Sequence, residues 1–110
     1  MNLIGGLYIM SVGSNLQYLR QVNGFTQQEI ADYLGVDQSL VSKMEHDTRK
    51  INMTWLNQLC NLYKIEDYML LEDDLKDYHP LNIQGETSDL NAIAKMNQIT
   101  SYLELLRSLQ

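Results

Sequence analysis

The chain has 110 residues, of which 45% are hydrophobic, so it can bury one compact core but cannot form two domains of enzyme size. Its formal net charge of −6 is unusual for a protein that binds a polyanion, because such binding depends largely on Lys and Arg. With a single proline, and with apolar residues most often three or four positions apart, the sequence predicts an all-α protein.

The negative charge is not evenly distributed. Residues 1–65 carry five basic and five acidic side chains, whereas the remaining residues carry three basic and nine acidic ones. Basic groups gather at Lys43, Arg49 and Lys50, so the first half can approach a polyanion, while the second half is expected to face away from it.

Residues 1–13 are predicted to form an N-terminal arm. Residues 1–10 are apolar, but they are too few to span a membrane and lack the basic start of a secretory signal. The lone Cys60 excludes an internal disulfide and, from its place on an apolar helical face, is interpreted as a packed side chain. We therefore expect a cytoplasmic protein that does not enter a membrane.

The first two predicted helices have clear ends. One covers residues 14–22 and stops at Asn23-Gly24, a pair suited to a left-handed cap. Thr26 and Glu29 form a capping box for the next helix, which should end before Gly35.

Three further helices are expected before a connector. Asp37 should cap a helix over residues 38–46. A fourth helix opens at Asn52 or Thr54, and a short fifth one covers residues 66–71. Together the five helices predict a bundle domain over residues 14–75.

A connector, residues 76–88, precedes a C-terminal segment, residues 89–110. Ser88 or Asp89 is expected to cap a final helix with a broad apolar stripe. The stripe consists of Leu90, Ile93, Met96, Ile99, Leu103 and Leu106. Because it is broader than one small domain needs, the pattern favours self-association over packing within the chain, and both stay open.

Residues 27–46 have the spacing of a helix-turn-helix. Two short helices that cross steeply need a small residue at the crossing, which Ala31 supplies, and a tight turn, which Gly35 supplies. The shared inner face of the two helices consists of Ile30, Leu34, Val36, Val41 and Met44.

This segment resembles the Cro and phage-repressor type of helix-turn-helix, the XRE family, over about residues 14–65. The positions that carry the resemblance are Gln27, Ile30, Ala31, Leu34, Gly35, Val36, Val41 and Met44. The resemblance implies a five-helix bundle, followed here by the connector and the long helix. It also implies a homodimer that binds double-stranded DNA through a recognition helix at residues 38–45.

The family's DNA contacts can be carried onto individual residues. The resemblance implies that Gln38, Ser39 and Lys43 face base edges in the major groove and that Ser42 reaches a base or the backbone. Gln27 matches the family residue that donates to a phosphate and braces the first glutamine of the recognition helix.

The resemblance extends to two flanking features. Arg20 and Glu45 match an ion pair that bridges the first and third helices, and Arg49 and Lys50 follow the recognition helix, where the family approaches the sugar-phosphate backbone. Glu45-His46-Asp47 stands where the family frequently has Glu-Asn-Gly, which leaves the turn of this loop open.

Two functions from different classes fit these residues. The first is a sequence-specific regulator of transcription, a dimeric repressor that reads a near-palindromic operator. The second is an antitoxin-like or adaptor protein whose C-terminal helix binds a partner protein. The sequence holds no nucleophile–base pair, phosphate-binding glycine loop or metal-ligand spacing, so we expect no enzyme, cofactor or metal site.

Overall fold

Six helices make up the packed part of the described chain. The computed structural model describes residues 2–4, 7–9, 11–71, 75–81 and 89–110, with side chains from residue 11 onward. The helices are α1 (Val12–Val22), α2 (Gln27–Leu34), α3 (Gln38–Glu45), α4 (Met53–Tyr63), α5 (Asp67–Leu71) and α6 (Leu90–Ser108). The predicted all-α class is confirmed, since α1 to α5 form a bundle and the long α6 follows the connector.

The N-terminal arm contains two strands of three residues each, β1 (Asn2–Ile4) and β2 (Leu7–Ile9). They pair with each other in antiparallel register, with Leu3 opposite Tyr8.

Polar caps fix where the helices begin. Helix α1 starts two residues earlier than predicted, because the Ser11 hydroxyl accepts a hydrogen bond from the Ser14 amide (3.1 Å). The predicted capping box of α2 is present, with Thr26 and Glu29 each bonded to the other's amide. Of the two predicted caps for α4, the chain uses Asn52.

The core lies between α1, α2, α3 and α4, and α5 closes one end of it. Its largest fully buried side chains are Tyr63, Leu19, Leu62, Leu70 and Val41. The rings of Phe25 and Tyr63 stack with centroids 6.3 Å apart. Asn15 is buried as well, and its amide donates to the Leu70 carbonyl (3.1 Å), which ties α5 to α1.

The first part of the connector packs on the bundle. Leu75 is buried, and the side chain of Asn23 donates to the Tyr78 hydroxyl (3.0 Å) and accepts from the Leu81 amide (2.7 Å). Residues 82–88, including Ser88, one of the two predicted caps of the last helix, lie outside the described residues.

Helix α6 begins at its cap Asp89 and packs on α4 and α2. The structure divides the predicted stripe in two. Leu90 and Ile93 are buried in the chain's own core, whereas the other four members are exposed: Met96, Ile99, Leu103 and Leu106. Across the described ranges, none of the helices combines the length and apolar character needed to cross a membrane.

Cys60 is half-buried on α4, and this environment gives a prediction about its reactivity. Burial, and then the carboxylates of Asp67 and Glu66, raise the pKa of its thiol from 9.0 to about 11. The folded chain should therefore hold about 100-fold less thiolate near neutral pH than an unperturbed cysteine, and iodoacetamide should alkylate it slowly.

Alkylation of the chain unfolded in urea is the control for this prediction, and equal rates in the two states would contradict it. The sign for stability follows from the same shift. Above pH 9.0 the unfolded chain releases the thiol proton that the folded chain retains, so stability should fall as the pH rises toward about 11.

Candidate nucleic-acid interface

The turn between α2 and α3 sets the angle at which α3 leaves the bundle. Gly35 ends α2 in the left-handed conformation (φ 74°), and the Val36 amide donates to the Ala31 carbonyl (3.0 Å). An added Cβ at Gly35 would meet nothing within 4 Å, so the backbone conformation rather than space favours glycine here. Ala31 is fully buried at the crossing, as its small side chain predicts.

Helix α3 has one buried face and one exposed face. Val41, Met44 and Glu45 are buried, while the exposed positions are the predicted reading residues Gln38, Ser39 and Lys43, with Ser42 half-buried at the edge. Asp37 occupies the predicted N-cap position, but its side chain makes no capping hydrogen bond. The cap therefore contributes its backbone conformation only.

A buried ion pair fixes α3 to α1. Arg20 Nε donates to Glu45 Oε2 (2.7 Å) and Arg20 Nη2 donates to Glu45 Oε1 (3.1 Å), a bidentate arrangement. The two side chains are only 12% and 3% exposed. The remaining Nη1 of Arg20 donates to the Phe25 carbonyl (3.0 Å), so the same guanidinium also holds the loop before α2. These are the two residues that the family resemblance paired.

The ion pair continues outward through two glutamines. Gln27 Nε2 donates to Glu45 Oε1 (3.0 Å), and Gln38 Nε2 donates to Gln27 Oε1 (2.7 Å). A chain of hydrogen bonds thus runs from the interior to the first residue of α3. It restricts the Gln38 side chain before any ligand arrives, which is the bracing geometry expected of Gln27.

The loop after α3 contains a contact that sequence reasoning missed. Asp47 adopts the left-handed conformation (φ 61°) where the family frequently has glycine. Its carboxylate accepts a hydrogen bond from the Gly13 amide (2.9 Å) in the first turn of α1. Asp47 therefore takes a backbone conformation that glycine favours and adds an acceptor that glycine lacks.

Arg49 and Lys50, which are predicted to contact the DNA backbone, lie in the loop directly after α3. The Arg49 amide donates to the Lys43 carbonyl (3.3 Å), and the Arg49 guanidinium lies 5.8 Å from the centroid of the Trp55 ring. Lys50 is exposed beside it. Trp55 packs partly buried against the core and also supports this arginine.

The exposed polar face of α3 and the basic residues of the loop that follows it are thus neighbours in the structure. That these side chains contact DNA stays a prediction. Over the part of the chain that the structure describes, no three His, Cys, Asp or Glu side chains lie close enough to hold a metal ion.

The chain is similar to known helix-turn-helix proteins. Residues 16–67 match a family model described as helix-turn-helix. The HTH-type transcriptional regulator ImmR of Bacillus subtilis (strain 168) is 33% identical over 79 residues, which are 71% of this chain and 62% of that relative. The aligned part therefore spans less than two thirds of the relative.

Proposed function

Because this chain belongs to the XRE family of helix-turn-helix proteins, we propose that it is a sequence-specific, DNA-binding regulator of transcription. The observation that carries the proposal is the exposed polar face of α3, held from beneath by hydrogen bonds that end on the buried Glu45. A side chain fixed before binding loses less conformational entropy when it pairs with a base.

Gln38 has the chemistry to read adenine. Its side-chain amide offers two N–H donors and one carbonyl acceptor, and Gln27 uses one donor. One donor and the acceptor remain, which match the N7 acceptor and N6 amino donor of adenine in the major groove. Lys43, on the same exposed face, can donate to the acceptors of guanine.

The flanking residues supply contacts that do not depend on sequence. Gln27 lies at the N-terminal end of α2, where a phosphate would be favoured by the helix dipole. Arg49 and Lys50 can neutralise phosphates beside the groove, with Trp55 orienting the arginine. The local balance of five bases and five acids over residues 1–65 makes the overall charge of −6 compatible with this role.

We propose further that two copies act together as a repressor. A two-fold dimer would read a near-palindrome with half-sites about one helical turn, roughly 34 Å, apart, and would compete with polymerase at a promoter. The protein would then work in the compartment that holds the DNA, in line with the cytoplasmic location expected from the sequence. Helix-turn-helix regulators of this family are generally not enzymes, and we propose no catalysis.

The test begins with selection of bound duplexes from a random pool. Gln38→Ala and Lys43→Ala should each weaken binding to the selected duplex by about 1–3 kcal/mol in mobility shifts, with unchanged folding. Lys76→Gln is the matched control, because it removes an exposed lysine charge in the connector, outside α3 and the loop that follows it. Unchanged affinity for both α3 variants would refute the assigned face.

The exposed apolar residues of α6 favour one alternative, an antitoxin-like or adaptor protein that grips a partner through this helix. The salt dependence of binding separates the two functions. A DNA regulator should lose duplex affinity steeply as salt rises, because phosphate contacts release counterions. An adaptor should form a stoichiometric protein complex and select no specific duplex.

A further inference from the structure

The side of α6 that faces the bundle is apolar near its N-terminus and polar in its second half. Leu90, Ile93 and Ala94 are buried on that side near the N-terminus. One turn later Asn97 takes their place, and its amide donates to the carbonyls of Asn61 (3.1 Å) and Leu62 (2.9 Å) at the end of α4. The bundle-facing side is therefore polar from Asn97 onward.

Glu104 continues this polar side. It lies two turns after Asn97 and pairs with Lys64, the residue that caps the end of α4 (3.2 Å). Ser101 lies between these two residues along α6 and lines the polar groove between α4 and α6. Because positions three, four and seven apart share one side of a helix, these residues show which side of the second half of α6 faces the bundle, and the two hydrogen bonds of Asn97 hold it there.

The opposite side of the second half is apolar and uncovered. Its members each expose 54–74% of their surface, and they are Ile99, Tyr102, Leu103, Leu105, Leu106 and Leu109, with the exposed Met96 at the edge. Glu104 and Arg107, the charged residues of this stretch, both lie outside that arc. Among the described residues, the bundle does not cover this apolar face, because the polar side is the one in contact with α4.

We propose that the apolar face of residues 96–109 is completed by the same face of a second copy of this chain. These seven side chains together expose on the order of 800 Å², about what each partner contributes to a standard-size interface. Since the face itself carries no charge, pairing two copies around a two-fold axis buries no charged side chain in the contact. The inference rests on the proposed function, because a dimer supplies the two readers of a palindrome.

This surface differs from the predicted stripe. Leu90 and Ile93 are not part of it, because they belong to the core of their own chain. Tyr102, Leu105 and Leu109, which the prediction did not include, are part of it.

The decisive measurement is sedimentation of the full chain over a range of micromolar concentrations. The wild type should be dimeric, and Leu106→Glu should weaken self-association about 100-fold or more, because a carboxylate would be buried in an apolar contact. Leu103→Glu is a second variant on the same face. Ser108→Glu, on the polar side four residues after Glu104, is the matched control and should leave the dimer intact.

Two duplexes separate this inference from the proposed function. Leu106→Glu should bind a single half-site as the wild type does and should lose the extra affinity that the wild type gains on the full palindrome. A wild type that stays monomeric, or dimers that tolerate both glutamates, would overturn the inference even if half-site binding persists. A monomer that forms a stoichiometric complex with a different protein would overturn it in favour of the adaptor.

Discussion

Replacing Glu45 with alanine is expected to lower the free energy of unfolding by about 3–5 kcal/mol, the cost of removing one partner from a buried ion pair. The Arg20 side chain is 12% exposed and would keep its charge without the two carboxylate hydrogen bonds. Urea denaturation followed by circular dichroism measures the loss, which should appear as a lower midpoint with an unchanged slope.

A double-mutant cycle separates the interaction energy of Arg20 and Glu45 from the packing that each substitution loses. Arg20→Met and Glu45→Met should each be costly alone, while the double variant should lose much less than their sum, because no uncompensated charge is left inside. Additive losses, or a Glu45→Ala change below about 1 kcal/mol, would show that solvent screens the pair and that the network is not anchored there.

The Glu45→Ala variant also tests whether the buried carboxylate influences the DNA-reading face of α3. Gln27 donates to Glu45 and accepts from Gln38, so loss of the carboxylate leaves both glutamines less restricted. We expect Glu45→Ala to weaken binding to the selected duplex even at temperatures where the chain is fully folded.

Local features of the helix-turn-helix could be predicted from the sequence because their partners lie within a few residues. The capping box joins Thr26 to Glu29, three positions away, and the left-handed turn at Gly35 follows from the residue itself. The inward face of α3 follows from its spacing. The Arg20–Glu45 pair spans 25 residues and was expected only through the family resemblance.

Contacts that depend on how helices are placed in space could not be predicted. Asp47 contacts Gly13 across 34 residues of sequence, and neither residue type predicts a contact with the other. On α6, the predicted stripe advanced by three residues from Leu90 to Ile99, and each such step turns the side chain about 60° backward around the helix. Three steps make half a turn, so a stripe that looked continuous passes from the bundle side to the outer side.

Gly13 packs the start of α1 directly against the end of α3, and alanine at this position should destabilise the fold. A Cβ there would lie 2.5 Å from the Glu45 carbonyl oxygen and 2.6 Å from that of Met44. Glycine-to-alanine changes inside helices ordinarily stabilise by about 0.4–1 kcal/mol, so the sign alone is informative. We expect a loss of about 1–3 kcal/mol in urea denaturation, since both obstructing atoms belong to the backbone.

Gly24→Ala is the matched control for this prediction. Gly24 has a left-handed backbone (φ 74°), but an added Cβ would meet nothing within 4 Å, so its cost comes from conformation alone, about 1 kcal/mol. Gly13→Ala should differ by also displacing the end of α3, and hence by weakening duplex binding in the folded protein, whereas Gly24→Ala should leave binding unchanged. A Gly13→Ala protein as stable as the wild type would mean that α1 and α3 can separate without cost, and the rigid placement of the reading face would then need another source.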